Sequence, residues 1–135
     1  MFGFKLRIAT PAGYEPDAGV LELARSAGAD IHLTTNPEEA VTGADILNTD
    51  VWASMGQEQE QQIRARAFAG FQINSRLLGL ANPDALVMHC LPAHRDEEIT
   101  DEVMEGPQSI IFDEAENRLH VQKAIMATLM GGIGR

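Results

Sequence analysis

Apolar runs of strand length alternate with helix-length amphipathic stretches along this chain, and that alternation restricts it to α/β architectures. Lys5–Thr10 (KLRIAT) reads as a strand closed by Pro11 and Gly13, followed by an amphipathic helix over Asp17–Ala27 that Gly28 ends. Ile31–Thr34 is a second strand. Asn36 is a fitting N-cap, Pro37 suits the first helical position, and Glu38 and Glu39 suit the positive end of the helix dipole. Ala44–Asp50 (ADILNTD) is a third strand and Gln57–Ala67 a polar helix. Phe68–Asn74 fits either a bend or a short extended piece, and Ser75–Leu80 a helical turn ended by Asn82-Pro83. Ala85–Cys90 (ALVMHC) has the apolar character of a strand buried on both faces, and Pro92 stops it. A short helix is expected over Glu98–Glu105, a last strand over Ser109–Asp113 (SIIFD) and a final helix over Leu119–Met130. Strands separated by helices form βαβ units with a mostly parallel sheet, and such sheets bind ligands beyond the C-terminal ends of their strands. That rule directs attention to the loops after Asp50, Cys90 and Asp113.

The chain's 135 residues suit one domain, and 44% hydrophobic residues supply a core without disulfides. No apolar run is long enough to span a bilayer, and the start lacks the pattern of a signal peptide. The lone cysteine, Cys90, suits a reducing cytoplasm. A formal net charge of −10 opposes nucleic acid as a partner, because phosphate binding needs a basic surface. Neither GxGxxG nor GxxxxGK[ST] occurs, so no nucleotide cofactor is expected.

Three segments hold unusual residues. In Asp50-Val51-Trp52-Ala53-Ser54-Met55-Gly56, a carboxylate, a hydroxyl and a helix start suit an ammonium and a carboxylate held together. The alternative is a capped turn in which Asp50 and Ser54 serve only the backbone, and on physics alone that is favoured. In His89-Cys90-Leu91-Pro92-Ala93-His94-Arg95, the thiol is a nucleophile, a metal ligand or inert packing. His89 and His94 make no recognised zinc pattern with one Cys, so no metal is expected, and packing ranks first. Leu91, ahead of Pro92, is pushed toward extended geometry that turns its carbonyl outward. In Phe112-Asp113-Glu114-Ala115-Glu116-Asn117-Arg118, the acidic residues either orient Arg118 toward a polarised oxygen or form an ordinary surface ion pair. Trp52 and the methionines of the tail read as packing.

Taken jointly, ATPAGYEPD at 9–17, DVWASMGQE at 50–58, HCLPAHR at 89–95, EITDEV at 98–103 and EAENRLH at 114–120 resemble the ornithine carbamoyltransferase family in order and spacing, over essentially the whole chain. Putrescine and N-acetylornithine carbamoyltransferases are similar, and aspartate carbamoyltransferase differs at DVWxSMG and HCLP. The resemblance implies a Rossmann-like three-layer α/β sandwich, with residues 1–135 as the ornithine-binding domain. It implies that Asp50 holds the α-ammonium of L-ornithine, with Ser54 and the Met55 backbone placing the α-amino-acid group. Cys90 and the Leu91 carbonyl would lie against the attacking nitrogen, and Arg118 would stabilise charge on the carbamoyl oxygen, so that Cys90 and Arg118 form the catalytic pair. Cys90 would orient the amine without a covalent intermediate. His89 and His94 receive no role.

The family's S-T-R-T-R and H-P-x-Q segments are absent, and with them the domain that binds carbamoyl phosphate. The strand ending in Gly-Asp-Gly-Asn-Asn and its helix, which open the second domain in the family, are also absent. Two expectations follow. The chain alone does not turn over carbamoyl phosphate without a complementary domain. Because the lacking strand is central in the family's sheet, the chain self-associates as a homo-oligomer, by pairing sheet edges or exchanging its C-terminal helix. A stand-alone, non-catalytic amino-acid-binding or assembly module is the rival reading.

Overall fold

The computed structural model describes residues 3–53 and 58–131. Ser54 and Met55 lie outside the described residues. The elements run β1 (Lys5–Ala9), α1 (Ala18–Ser26), β2 (Asp30–Thr34), α2 (Pro37–Val41), β3 (Ile46–Thr49), α3 (Glu58–Ala67), α4 (Ser75–Leu78), β4 (Leu86–His89), α5 (Asp101–Met104) and α6 (Ile111–Leu129). Local chemistry accounts for the early boundaries. The Asp17 carboxylate accepts from the Val20 N–H to start α1, and Gly28, at φ +87°, takes the left-handed turn that ends it. Asn36 accepts from the Glu38 N–H and Pro37 opens α2.

The strand pairs are parallel, as expected of βαβ units, but they form two two-stranded ribbons, β1 with β2 and β3 with β4. Among the described residues no ladder joins the ribbons, so β1 and β3 each keep an unpaired edge. A cleft of about 450 Å³ is lined both by residues 7–10, from β1, and by residues 46–52, from β3 and its following loop. Arg7 of β1 ties the first ribbon to α2 by donating to the carbonyls of Glu39 and Thr42.

The core belongs mainly to the second ribbon. Leu47, Ile73, Ala85, Val87, Ile99, Val103, Met104 and Ile111 form one buried cluster. The first ribbon is thinly covered, and Phe4 and Leu6 are exposed.

Four expectations are corrected in the C-terminal third. Leu91 is not extended as its place before Pro92 suggested but left-handed, at φ +56°. Ser109–Asp113 is not a strand. Only Ser109 makes a parallel bridge to Val87, held by Val87 N–H to Gln108 O and Ile110 N–H to Val87 O. The chain then turns straight into α6, which begins at Ile111 and not at Leu119. Asp113 and Glu114 occupy its first turn, where the helix dipole favours negative charge. The expected helix over Glu98–Glu105 shrinks to Asp101–Met104, because the residues before it pair with another segment. Ile73 N–H donates to Glu98 O and Thr100 N–H to Ile73 O, which leaves 98–100 extended.

Past its first turn α6 is poorly covered. Leu119, Val121, Ile125, Met126, Leu129 and Met130 are all exposed. No helix among the described residues is long and apolar enough to cross a membrane.

Candidate active site

The register of the second ribbon builds the site. Thr49 pairs with His89 in a parallel ladder, so the next residue on each strand, Asp50 and Cys90, emerges at the same end of the sheet. The Cys90 thiol donates to Asp50 Oδ1 at 3.4 Å, and that oxygen also accepts the Val51 N–H at 2.8 Å. Among the described residues the second carboxylate oxygen of this exposed side chain makes no hydrogen bond.

Arg118 reaches the same place from α6, donating through Nη1 to the Cys90 carbonyl at 3.4 Å. A carboxylate, a thiol and a guanidinium therefore meet, although 68 residues separate the first from the last (118 − 50). They do not line one cavity. Cys90, Leu91 and Arg118 border an open cleft of about 720 Å³, whereas Asp50 borders the neighbouring cleft between the ribbons. Asp50 and Cys90, joined by their hydrogen bond, thus line different clefts.

Burial pushes the Cys90 thiol up from its ordinary pKa. The hydrogen bond to Asp50, the negative charge of Asp50 and that of Glu114 act in the same direction, and Arg118 opposes them. The site thus holds Cys90 as a neutral thiol, suited to orienting a substrate atom and poorly suited to nucleophilic attack.

The expected orientation of Arg118 by its acidic neighbours is not what holds it. Among the described residues no carboxylate lies within salt-bridge distance of Arg118, and Glu116 instead approaches His120 at 3.6 Å. The helical path of 111–129 spaces these residues around a cylinder, where a loop would have let them converge. Trp52 packs, as read from sequence. Its ring stacks on Phe68 at 5.9 Å, Tyr14 meets the same ring edge-on at 5.0 Å, and Arg64 lies 5.5 Å from the Tyr14 centroid.

His89 and Glu98 were given no role by sequence reasoning, yet both are completely buried just behind Cys90. Nine residues apart and on different segments, they carry no local signature. The ligand atoms of Asp50, His89 and Cys90 lie within 4.8 Å of one another, as do those of His94, Glu97 and Glu98, proximity that linear spacing does not reveal. In the first group both ring nitrogens of His89 are engaged, Nε2 with Glu98 and Nδ1 with the Leu91 N–H, which leaves no lone pair for a metal.

Residues 1–129 match the family model described as aspartate/ornithine carbamoyltransferase, Asp/Orn binding domain. The chain is 64% identical over 130 residues to the ornithine carbamoyltransferase of Syntrophotalea carbinolica, a match covering 96% of this chain and 43% of that protein. It is 60% identical over 131 residues to that of Geobacter sulfurreducens, again covering 96% and 43%. The solved ornithine carbamoyltransferase of Pyrococcus furiosus superposes with a TM-score of 0.87 at 50% identity, covering 98% of this chain and 44% of that one. An N-acetyl-L-ornithine transcarbamylase superposes at 0.79 with 34% identity, over 94% of this chain and 40% of the other. The chain spans less than half the length of each of these relatives. Fold, motifs and similarity agree: this chain belongs to the aspartate/ornithine carbamoyltransferase family and corresponds to its amino-acid-binding domain.

Proposed function

We propose that the chain supplies the ornithine side of a carbamoyl-transfer site whose other side comes from a separate carbamoyl-phosphate-binding domain. The observation that carries this reading is the meeting of Asp50, Cys90 and Arg118 at the ends of β3, β4 and the side of α6. Asp50 pairs with the α-ammonium of L-ornithine. Ser54 and the backbone at Met55 receive its carboxylate end. The Cys90 thiol and the Leu91 carbonyl orient the neutral δ-amine, and Arg118 polarises the carbamoyl oxygen as negative charge develops on it. The nitrogen lone pair attacks the carbamoyl carbon, the carbon–oxygen bond to phosphate breaks, and phosphate departs with that electron pair. Loss of a proton from nitrogen then leaves citrulline. A free α-ammonium gives Asp50 a cation to pair with, which an acetylated amine does not, and this favours ornithine over N-acetylornithine. The reading places the protein in the cytoplasm and in arginine biosynthesis.

Citrulline formation tests it. The chain alone yields none, because no described group cradles the phosphate. Mixing it with a separately expressed carbamoyl-phosphate-binding domain yields citrulline, and Asp50→Ala or Arg118→Ala abolishes that yield. Turnover by the chain alone, or none after mixing, contradicts the proposal. The assembly-module reading is favoured by one observation, the exposed apolar residues of α6 alongside strand edges, those of β1 and β3 among them, that pair with nothing among the described residues. It makes the chain a homo-oligomer, and sedimentation of a strictly monomeric species at micromolar concentration would oppose it.

A further inference from the structure

We infer that His94, Glu97 and Glu98 form a binding site for one divalent first-row transition ion, with zinc the best fit. The inference stands apart from the ornithine reading, since none of the three borders either cleft around Asp50, Cys90 and Arg118. An imidazole nitrogen and an oxygen of each carboxylate lie within 4.8 Å of one another on a single turn. Glu98 is fully buried, Glu97 half-buried and His94 exposed, which gives an ion a way in.

The observation that points to a ligand is Glu98 Oε2. Its companion Oε1 is occupied, accepting the His94 N–H at 2.6 Å and facing His89 Nε2 at 3.1 Å. Oε2 is shielded from solvent and has no hydrogen-bond partner among the described residues. A carboxylate oxygen is too costly to leave bare in an interior, so an orphan of this kind marks a cation or a water. Oε2 lies 3.9 Å from His94 Nδ1. A proton does not bridge that gap, because an N–H···O bond spans about 2.7–3.2 Å. A metal ion does: two ligands at about 2.0–2.1 Å on a tetrahedral zinc stand about 3.4 Å apart. A shift of about 0.5 Å by the exposed imidazole closes the difference, Glu97 adds a third ligand, and water takes the fourth position.

The backbone holds this arrangement without the ion. Asp96 takes a left-handed turn at φ +67°, which aspartate tolerates better than most residues, and its N–H donates to Ile99 O at 2.8 Å. Glu97 N–H donates to His94 O at 3.1 Å, and Gln72 Nε2 donates to the carbonyls of Asp96 and Glu97, both at 2.8 Å. Arg95 pairs with Asp101 and Glu105, so its charge is committed away from the two carboxylates of the turn. One imidazole with two carboxylates suits zinc and its neighbours, whereas calcium and magnesium take oxygen ligands. Linear spacing hid the site because no cysteine takes part and only one histidine does.

Co²⁺ alone is the first probe, titrated into the full chain and into Cys90→Ser, which removes the thiol as a competing ligand. Both should bind one ion and develop visible d–d bands without a thiolate charge-transfer band, and Zn²⁺ should displace it. Losing a group that merely supports a metal ligand weakens binding about 10–100-fold, so His94→Ala and Glu97→Gln should each weaken it about a hundredfold or more. Zn²⁺ at a hundredfold excess over its dissociation constant should raise the melting temperature of wild type by about 5 °C or more. Long-range ¹H–¹⁵N spectra of wild type should show the His94 Nδ1 signal moving on zinc addition, a readout that needs no variant. No binding of either ion to wild type at millimolar concentration would overturn the inference. So would binding that disappears in Cys90→Ser, or that persists unchanged in His94→Ala and Glu97→Gln.

Discussion

Neighbouring residues at the start of α6 provide a sharp test of the packing. Ile111 is fully buried in the main cluster, whereas Phe112, the larger side chain, is 59% exposed. Replacing Ile111 with Ala removes three carbon groups, each worth about 0.8 kcal/mol of transfer free energy. The cavity left in a core that relaxes only partly raises the cost, and the better helix propensity of Ala returns about 0.4 kcal/mol. The net loss is about 2–4 kcal/mol, which for a domain of this size lowers the melting temperature by roughly 6–15 °C. Phe112→Ala should cost no more than about 0.5 kcal/mol, near 2 °C. Thermal unfolding followed by circular dichroism measures both. A Phe112 variant as destabilised as the Ile111 variant would refute this placement of α6 and mean that its exposed face is covered.

Two further outcomes follow from the electrostatics. Burial raises the Cys90 thiol pKa most, Asp50 adds to the rise and Arg118 opposes it, so Asp50→Asn should shift the pH profile of iodoacetamide alkylation downward and Arg118→Ala should shift it upward; shifts of the same sign would contradict the geometry. The Thr34 hydroxyl, and after it His32, holds the exposed Glu39 carboxyl below its ordinary 4.5, which stabilises the fold above the unfolded-state pKa and is lost as pH falls through the folded value. Thr34→Val should therefore be less stable than wild type in urea at neutral pH, with a gap that closes in acid; a gap independent of pH would remove that attribution.

Legibility in the sequence tracked the range of the interactions. The Asn36 cap, Gly28 and the apolar run before Cys90 act within a few residues, and each sits where its chemistry predicted. SIIFD misled because Ile110, Ile111 and Phe112 suit a strand by composition. A single bridge at Ser109 satisfied the available edge of β4, and the acidic pair behind Phe112 then favoured a helix start. Glu98 likewise favours a helix in isolation, yet Ile73, 25 residues earlier (98 − 73), pairs with its segment and keeps it extended. The family motifs singled out Asp50, Cys90 and Arg118, and the structure brings these three together. His89 and Glu98 became visible only once the loop between them had folded back.

The central claim is that Asp50, Cys90 and Leu91 receive one small amino acid beside Arg118, at the shared end of β3 and β4. The most direct measurement is a titration of the isotope-labelled chain with L-ornithine, following the amides of Asp50, Cys90, Leu91 and the side chain of Arg118 by NMR. These signals should move together along one saturable curve in wild type and stay still in Asp50→Ala. Shifts confined to other regions, or an unchanged response in the Asp50 variant, would contradict the account.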